Sequence, residues 1–155
     1  MSADAKLESY ATELPPPAKP AGVYKPCIVV GNLVYTSGHG PLCADGSWLT
    51  GRVGVEVDQA AGYRAARQTG LSILSSVKAH LGSLDRIKRV VKTLGMVNAA
   101  PNFENHPAVI NGCSELFREV FGEDNGVGAR SAVGMGSLPS NITTEIEVIF
   151  ELQGS

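Results

Sequence analysis

The sequence predicts an α+β fold in which two long helices cover one face of a sheet, and three patterns carry that prediction. From Ile142 to Glu151, the mostly apolar set Ile142, Thr144, Ile146, Val148 and Phe150 alternates with Thr143, Glu145, Glu147, Ile149 and Glu151, which carry three carboxylates, the period of a half-buried strand. Two other segments, about 58–81 and 107–121, repeat apolar residues every three or four positions, as amphipathic helices do. Their order along the chain is strand, strand, helix, strand, helix, strand, strand. Because the helices can cover only one side, apolar positions such as Ile149 on the other predict self-association through the sheet.

Residues 1–20 hold a short helical turn near Leu7 to Leu14 and then Pro15, Pro16 and Pro17. Proline fixes extended backbone and donates nothing to a ladder, so this stretch is expected to be an arm outside the core of a single domain spanning 21–152. Val23 to Val30 and Leu33 to Ser37 read as strands joined by a Gly31-Asn32 hairpin turn. Asp58 suits a helix cap and Gly82 a left-handed stop, and between them Tyr63, Ala66, Gly70, Ile73, Val77 and Leu81 form one buried stripe. Ile87 to Val97 is a strand. Pro107 suits a first helical turn, and Ile110, Cys113, Phe117, Val120 and Phe121 make the second stripe, ending at Gly122. The final pair of strands, within Gly128 to Glu151, is expected to close as an antiparallel hairpin around Ser137 to Asn141.

That hairpin is where chemistry is expected. Arg130, Ala132, Gly134 and Gly136 share a face on which the guanidinium is the one large group, so there is room for a ligand. An odd register sum would put Arg130 and Glu145 on the same face, roughly 13 Å apart if Gly134 faces Glu145. Sharing one small ligand across that gap requires inward-reaching side chains or a second subunit.

Composition excludes much else. At 155 residues and 43% hydrophobic content, the chain can bury one good core. A formal charge of −2 and an isoelectric point near 5.9 give no pull towards a polyanion, which counts against nucleic acid as a partner. Cys27, Cys43 and Cys113 are odd in number and widely spaced, indicating neither a disulfide framework nor a zinc site, and a reducing cytosol fits them. No apolar run reaches the length of about 18 residues that a spanning helix needs. His39, His80 and His106 lack ligand spacing, so no metal is expected. Tyr35 stands where a nucleophile elbow needs glycine, and Gly126-Val127-Gly128 precedes a strand, so it is no dinucleotide fingerprint.

Leu33-Val34-Tyr35-Thr36-Ser37-Gly38, the helix near Asn111, and above all Ala129-Arg130-Ser131, Leu138-Pro139 and Thr144-Glu145-Ile146-Glu147 resemble the RidA (YjgF) family of reactive-intermediate deaminases, also labelled endoribonuclease L-PSP. The similarity covers about residues 21–152. It implies a chorismate-mutase-like α+β fold with a mixed sheet, and a homotrimer with clefts at its subunit interfaces. It implies hydrolysis of enamines or imines of amino acids to 2-keto acids and ammonia, with no cofactor. Matched residue by residue, Arg130 would hold the substrate carboxylate through its planar fork, and Glu145 would activate water. Tyr24 would close over the ligand, Ser37 and Gly38 would bond to it, and Asn111 would lie near the cleft. Ala132 departs from the usual cysteine, and His39 stands where glutamine is common, as a substitute polar contact. Without the thiol, two alternatives stay open: a non-catalytic trimer binding a small carboxylate metabolite, and, against the acidic charge, a ribonuclease or translation inhibitor.

Overall fold

The computed structural model describes residues 1–154. Its centre is a five-stranded mixed sheet in the order β1-β2-β5-β3-β4. The hairpin read at Gly31-Asn32 joins β1 (Cys27–Val30) to β2 (Leu33–Thr36), with Cys27 opposite Thr36. β3 (Ile87–Asn98) runs parallel to β4 (Ala129–Met135), and β5 (Thr144–Leu152) lies antiparallel to both β2 and β3. The chorismate-mutase-like α+β architecture expected from the sequence is the one observed.

The expected hairpin between the last two strands does not form. Parallel pairing demands a long crossover, and α3 (His106–Phe121) supplies it by carrying the chain from the end of β3 back to the start of β4. The turn after β4 then leads away from it. The Asn98 amide donates to Asn141 Oδ1 at 2.9 Å and to the Ile142 carbonyl at 3.1 Å, delivering β5 into the gap between β2 and β3. There Phe150 pairs with Val34 on one side and Val90 on the other, a fully laddered position that suits the strand with the cleanest apolar alternation.

Both long helices lie on one face. Asp58 caps α2 (Gln59–Leu81) by accepting from the Ala61 amide at 2.8 Å, and Gly82 ends it at φ 86°, in the left-handed region that glycine adopts without a Cβ clash. α2 and α3 meet closely at Gly112, where a side chain would collide with the Tyr63 carbonyl. Ile73, Val77, Ile110, Cys113 and Phe117 join Ile146, Val148 and Phe150 in one core.

α2 is not the single-striped helix that its pattern suggests, for Thr69 through Val77 are all buried. The reason is the N-terminal segment, which packs over its outer side instead of staying outside the core. α1 (Ala3–Glu8) inserts Leu7, fully buried, and Asp4 accepts from Ser83 Oγ and the Leu84 amide. Further on, Ser75 Oγ donates to the Pro15 carbonyl at 2.7 Å, and the Ala18 amide donates to Ser76 Oγ at 3.2 Å. Extended proline backbone keeps its carbonyls free, and α2 uses them. Among the described residues, no helix is long and apolar enough to cross a membrane.

Candidate functional site

Cross-strand register fixes where the two key charges go. Arg130 pairs with Thr93, and Glu145 pairs with Met96. Thr93 and Met96 are three residues apart on one strand, so their side chains leave opposite faces of the sheet. Thr93 is buried beneath the helices, whereas Met96 is on the open side. Within one chain, therefore, Arg130 and Glu145 do not share a face, contrary to the expectation built on the absent hairpin.

Glu145 sits in a cleft of about 640 Å³ on the open side of the sheet, inside the usual range of roughly 300–1,000 Å³ for small-ligand sites. Tyr24, Ser37 and Gly38 line it too, together with Trp48 and Ile142. Four of the residues singled out in the sequence are thus brought together. β2 ends at Thr36 and the chain bridges to β5 through His39 and Ile146, which lays Gly38 directly against the Glu145 side chain. A Cβ at Gly38 would overlap Glu145 Oε2 and fall 3.0 Å from its Cδ. Burial raises the Glu145 pKa above the ordinary glutamate value, and the neighbouring Glu147 carboxylate raises it further. Such a carboxyl is a better proton acceptor than an exposed one.

The other wall of the cleft is held in a costly backbone shape. Ser140 and Asn141 adopt φ of 54° and 57°, uncommon for residues with side chains. Arg52 holds this turn by donating to the Gly136 carbonyl at 2.6 Å and to Asn98 Oδ1 at 3.3 Å, and Glu56 accepts from Asn141 Nδ2. Strain secured by so many bonds fixes Pro139 and Ser140 as lining residues. Neither they nor Trp48 carries a periodic signal that could have marked them in the sequence.

Arg130 lies in a second, separate hollow of about 300 Å³ that shares no lining residue with the first. It is on the helix side, where its Nη1 donates to Asn111 Oδ1 at 2.8 Å and to Ser114 Oγ at 3.1 Å. The two acceptors are three apart on α3 and so share a helical face, which places Ser114 beside Asn111 as a residue that the sequence reading missed. No carboxylate forms an ion pair with Arg130 among the described residues, leaving its other guanidinium N–H groups for an outside anion. Ala132 packs against the core.

His39 turns inward. It is 4% exposed, with Nδ1 bonded to the Ser37 carbonyl at 2.8 Å and Nε2 to Ser76 Oγ at 3.0 Å. Since the carbonyl can only accept, Nδ1 carries the proton and Nε2 accepts from Ser76. Burial lowers the His39 pKa and favours this neutral ring. No cluster of three or more His, Cys, Asp or Glu suited to a metal occurs among the described residues.

Known proteins resemble this chain over most of its length. Residues 4–152 match the family model described as YjgF/chorismate mutase-like, putative endoribonuclease. The chain is 38% identical over 148 residues to Protein TCP17 of Trypanosoma cruzi, covering 96% of this chain and 92% of that one. It is 28% identical over 136 residues to a 2-iminobutanoate/2-iminopropanoate deaminase of Dermatophagoides farinae, covering 87% and 90% of the two. Among solved structures it resembles Atu1372 of Agrobacterium tumefaciens, of unknown function, with a TM-score of 0.88, 41% identity and coverage of 97% and 92%.

Proposed function

The chain belongs to the YjgF/chorismate-mutase-like, putative endoribonuclease family, and from that premise we propose that it hydrolyses reactive enamines and imines derived from amino acids, releasing a 2-keto acid and ammonia. The observation that carries this reading is Glu145: a half-buried carboxylate of raised basicity, pressed against Gly38 in a ligand-sized cleft. Similarity to an imine deaminase supports it.

The enamine tautomerises to an imine, whose carbon is already electrophilic. Glu145 takes a proton from water as the water oxygen bonds that carbon. The nitrogen takes back that proton from Glu145 and a second from the new hydroxyl, so that the C–N bond breaks, ammonia departs and the hydroxyl oxygen becomes the keto carbonyl. Tyr24, Ser37 and Gly38 position the substrate, and the Arg130 fork holds its carboxylate. Since Arg130 and Glu145 leave opposite faces of one sheet, the fork reaches the cleft from a second copy, with Asn111 and Ser114 steadying it. The assembly proposed is a homotrimer with such clefts at its interfaces. Ile28 (45% exposed), Val30 (57%), Tyr35 (39%) and Val133 (38%) are the apolar open-face residues it would cover. Three free cysteines are in keeping with a cytosolic setting.

A second reading, a non-catalytic binder of small carboxylates, is favoured by Ala132, which offers no thiol to the reacting carbon. The test generates the enamine with a pyridoxal enzyme and follows keto-acid release. Wild type should accelerate release over buffer and Arg130→Ala should not. If wild type gives no acceleration, the binding reading replaces the catalytic one. RNA cleavage that survives purification and is lost on Glu145 substitution would instead favour a nuclease.

A further inference from the structure

A second hollow adjoins the cleft at Tyr24 and Trp48. It is a recess of about 100 Å³ where the proline-rich arm crosses α2. Cleft and recess share Ala21, Tyr24, Gly38, Gly40 and Trp48 as wall residues, so the two lie side by side. Ser72 lines the recess. It is 0% exposed, and its hydroxyl is the one buried side-chain polar group without a hydrogen-bond partner among the described residues. A buried helical hydroxyl ordinarily returns to a carbonyl one turn back, as Thr69 Oγ1 does to Ala65 at 2.9 Å. Ser72 does not, and a buried hydroxyl left in that state is destabilising.

We propose that the recess is a side-chain subsite, in which Ser72 Oγ binds the hydroxyl or amide at the end of the ligand's side chain. The proposal rests on reading the cleft as a site for 2-imino or 2-keto acids, and it names which of them fit. The volume equals about three waters at roughly 30 Å³ each, room for the outer atoms of a medium-length chain. Water itself is poorly held there. It needs two to four polar partners; on this wall His39 has both nitrogens committed to Ser37 and Ser76, and the Tyr24 hydroxyl already accepts from the Ala21 amide. The remaining lining, with Pro20, Ala21, Pro26 and the Trp48 ring, is largely apolar. An apolar stem with one neutral hydrogen-bonding tip matches that inventory. A charged tip does not, because it would lose its hydration against two neutral hydroxyls, those of Ser72 and Tyr24, and Lys19, the one cation on the wall, is a solvent-exposed residue of the arm.

Trp48 is the only tryptophan and borders both spaces, so its fluorescence reports their occupancy without turnover. The intact protein is titrated with 2-oxobutanoate, and with 2-oxohexanoate and 5-hydroxy-2-oxopentanoate, whose side chains have equal numbers of non-hydrogen atoms. Wild type should bind the hydroxylated acid about fivefold to tenfold tighter than its apolar counterpart, the worth of one neutral hydrogen bond. Ser72→Ala, its fold checked by circular dichroism, should bring that ratio to about one. Equal affinities in wild type overturn the proposal with no mutant needed, and so does a preference that survives Ser72→Ala. If 2-oxobutanoate binds while the preference is absent, the subsite alone is lost. If none of the three acids binds, the carboxylate-site reading falls and the subsite falls with it.

Discussion

Gly38→Ala is the most discriminating single substitution, because it adds one methyl group and moves one functional side chain. Gly38 needs no positive φ, so alanine brings no backbone strain there. Its Cβ would lie 3.0 Å from Glu145 Cδ and 3.1 Å from Cγ, and closer still to Oε2. Carbon atoms prefer separations of about 3.5–4.0 Å, so the carboxyl must retreat by roughly 0.5–1 Å. It can do so cheaply, being the end of a flexible, half-buried side chain without a hydrogen bond to break. Stability should therefore change by less than about 1 kcal/mol, within the range of ordinary tolerated substitutions. Catalysis should suffer far more, since displacing a catalytic group by about 1 Å can cost on the order of a hundredfold. The enamine-coupled assay should show kcat/KM lower by about tenfold to a hundredfold, beside an unchanged melting curve. A variant that keeps wild-type activity would refute the idea that Glu145, held where it is, does the chemistry.

Other outcomes follow from the same geometry. The acid limb of activity should lie above the ordinary glutamate range, because Glu145 is raised by burial and by Glu147, and Glu147→Gln should shift that limb to lower pH in a pH–rate profile. A carboxyl whose folded pKa is raised binds protons more tightly in the folded state, so its ionisation removes stability as pH rises through that value. Glu145→Gln should then melt at a higher temperature than wild type near pH 7, while losing activity. Asn98→Ala removes a 0%-exposed amide that holds the Asn141–Ile142 turn and should cost about 2–3 kcal/mol in urea unfolding. Leu7→Ala should cost about 2–5 kcal/mol if the N-terminal segment belongs to the core, and almost nothing if it is a loose arm.

What sequence revealed, and what it hid, divides along the range of the interactions. Caps, turns and periods are local, so Asp58, Gly82, the Gly31-Asn32 hairpin and the alternation of β5 could be read directly. Strand partners are not local. Alternation in β4 and β5 says that each has two faces, but not that β4 pairs with β3 and β5 enters the middle, and the expected meeting of Arg130 with Glu145 failed on that point. Tyr24, Ser37, Gly38 and Glu145 were legible as a group through the family resemblance and do line one cleft. Asn111 does reach Arg130. The His39 ring goes inward because β2 and β5 remain bridged at that residue, which depends on the same unreadable pairing. Leu7 and Ser72 are buried by a segment whose prolines suggest exposure. The carbonyls that tie it to α2 carry no side-chain signature.

The central claim is that one copy's Arg130 completes another copy's Glu145 cleft, and mixing two dead variants tests it most directly. Arg130→Ala and Glu145→Gln should each lack deaminase activity alone. Unfolded together in equal amounts and refolded, they should regain about a quarter of the wild-type rate, since one interface in about four pairs an intact arginine with an intact glutamate. A mixture as inactive as its parents, with both variants folded and associated, would contradict the account.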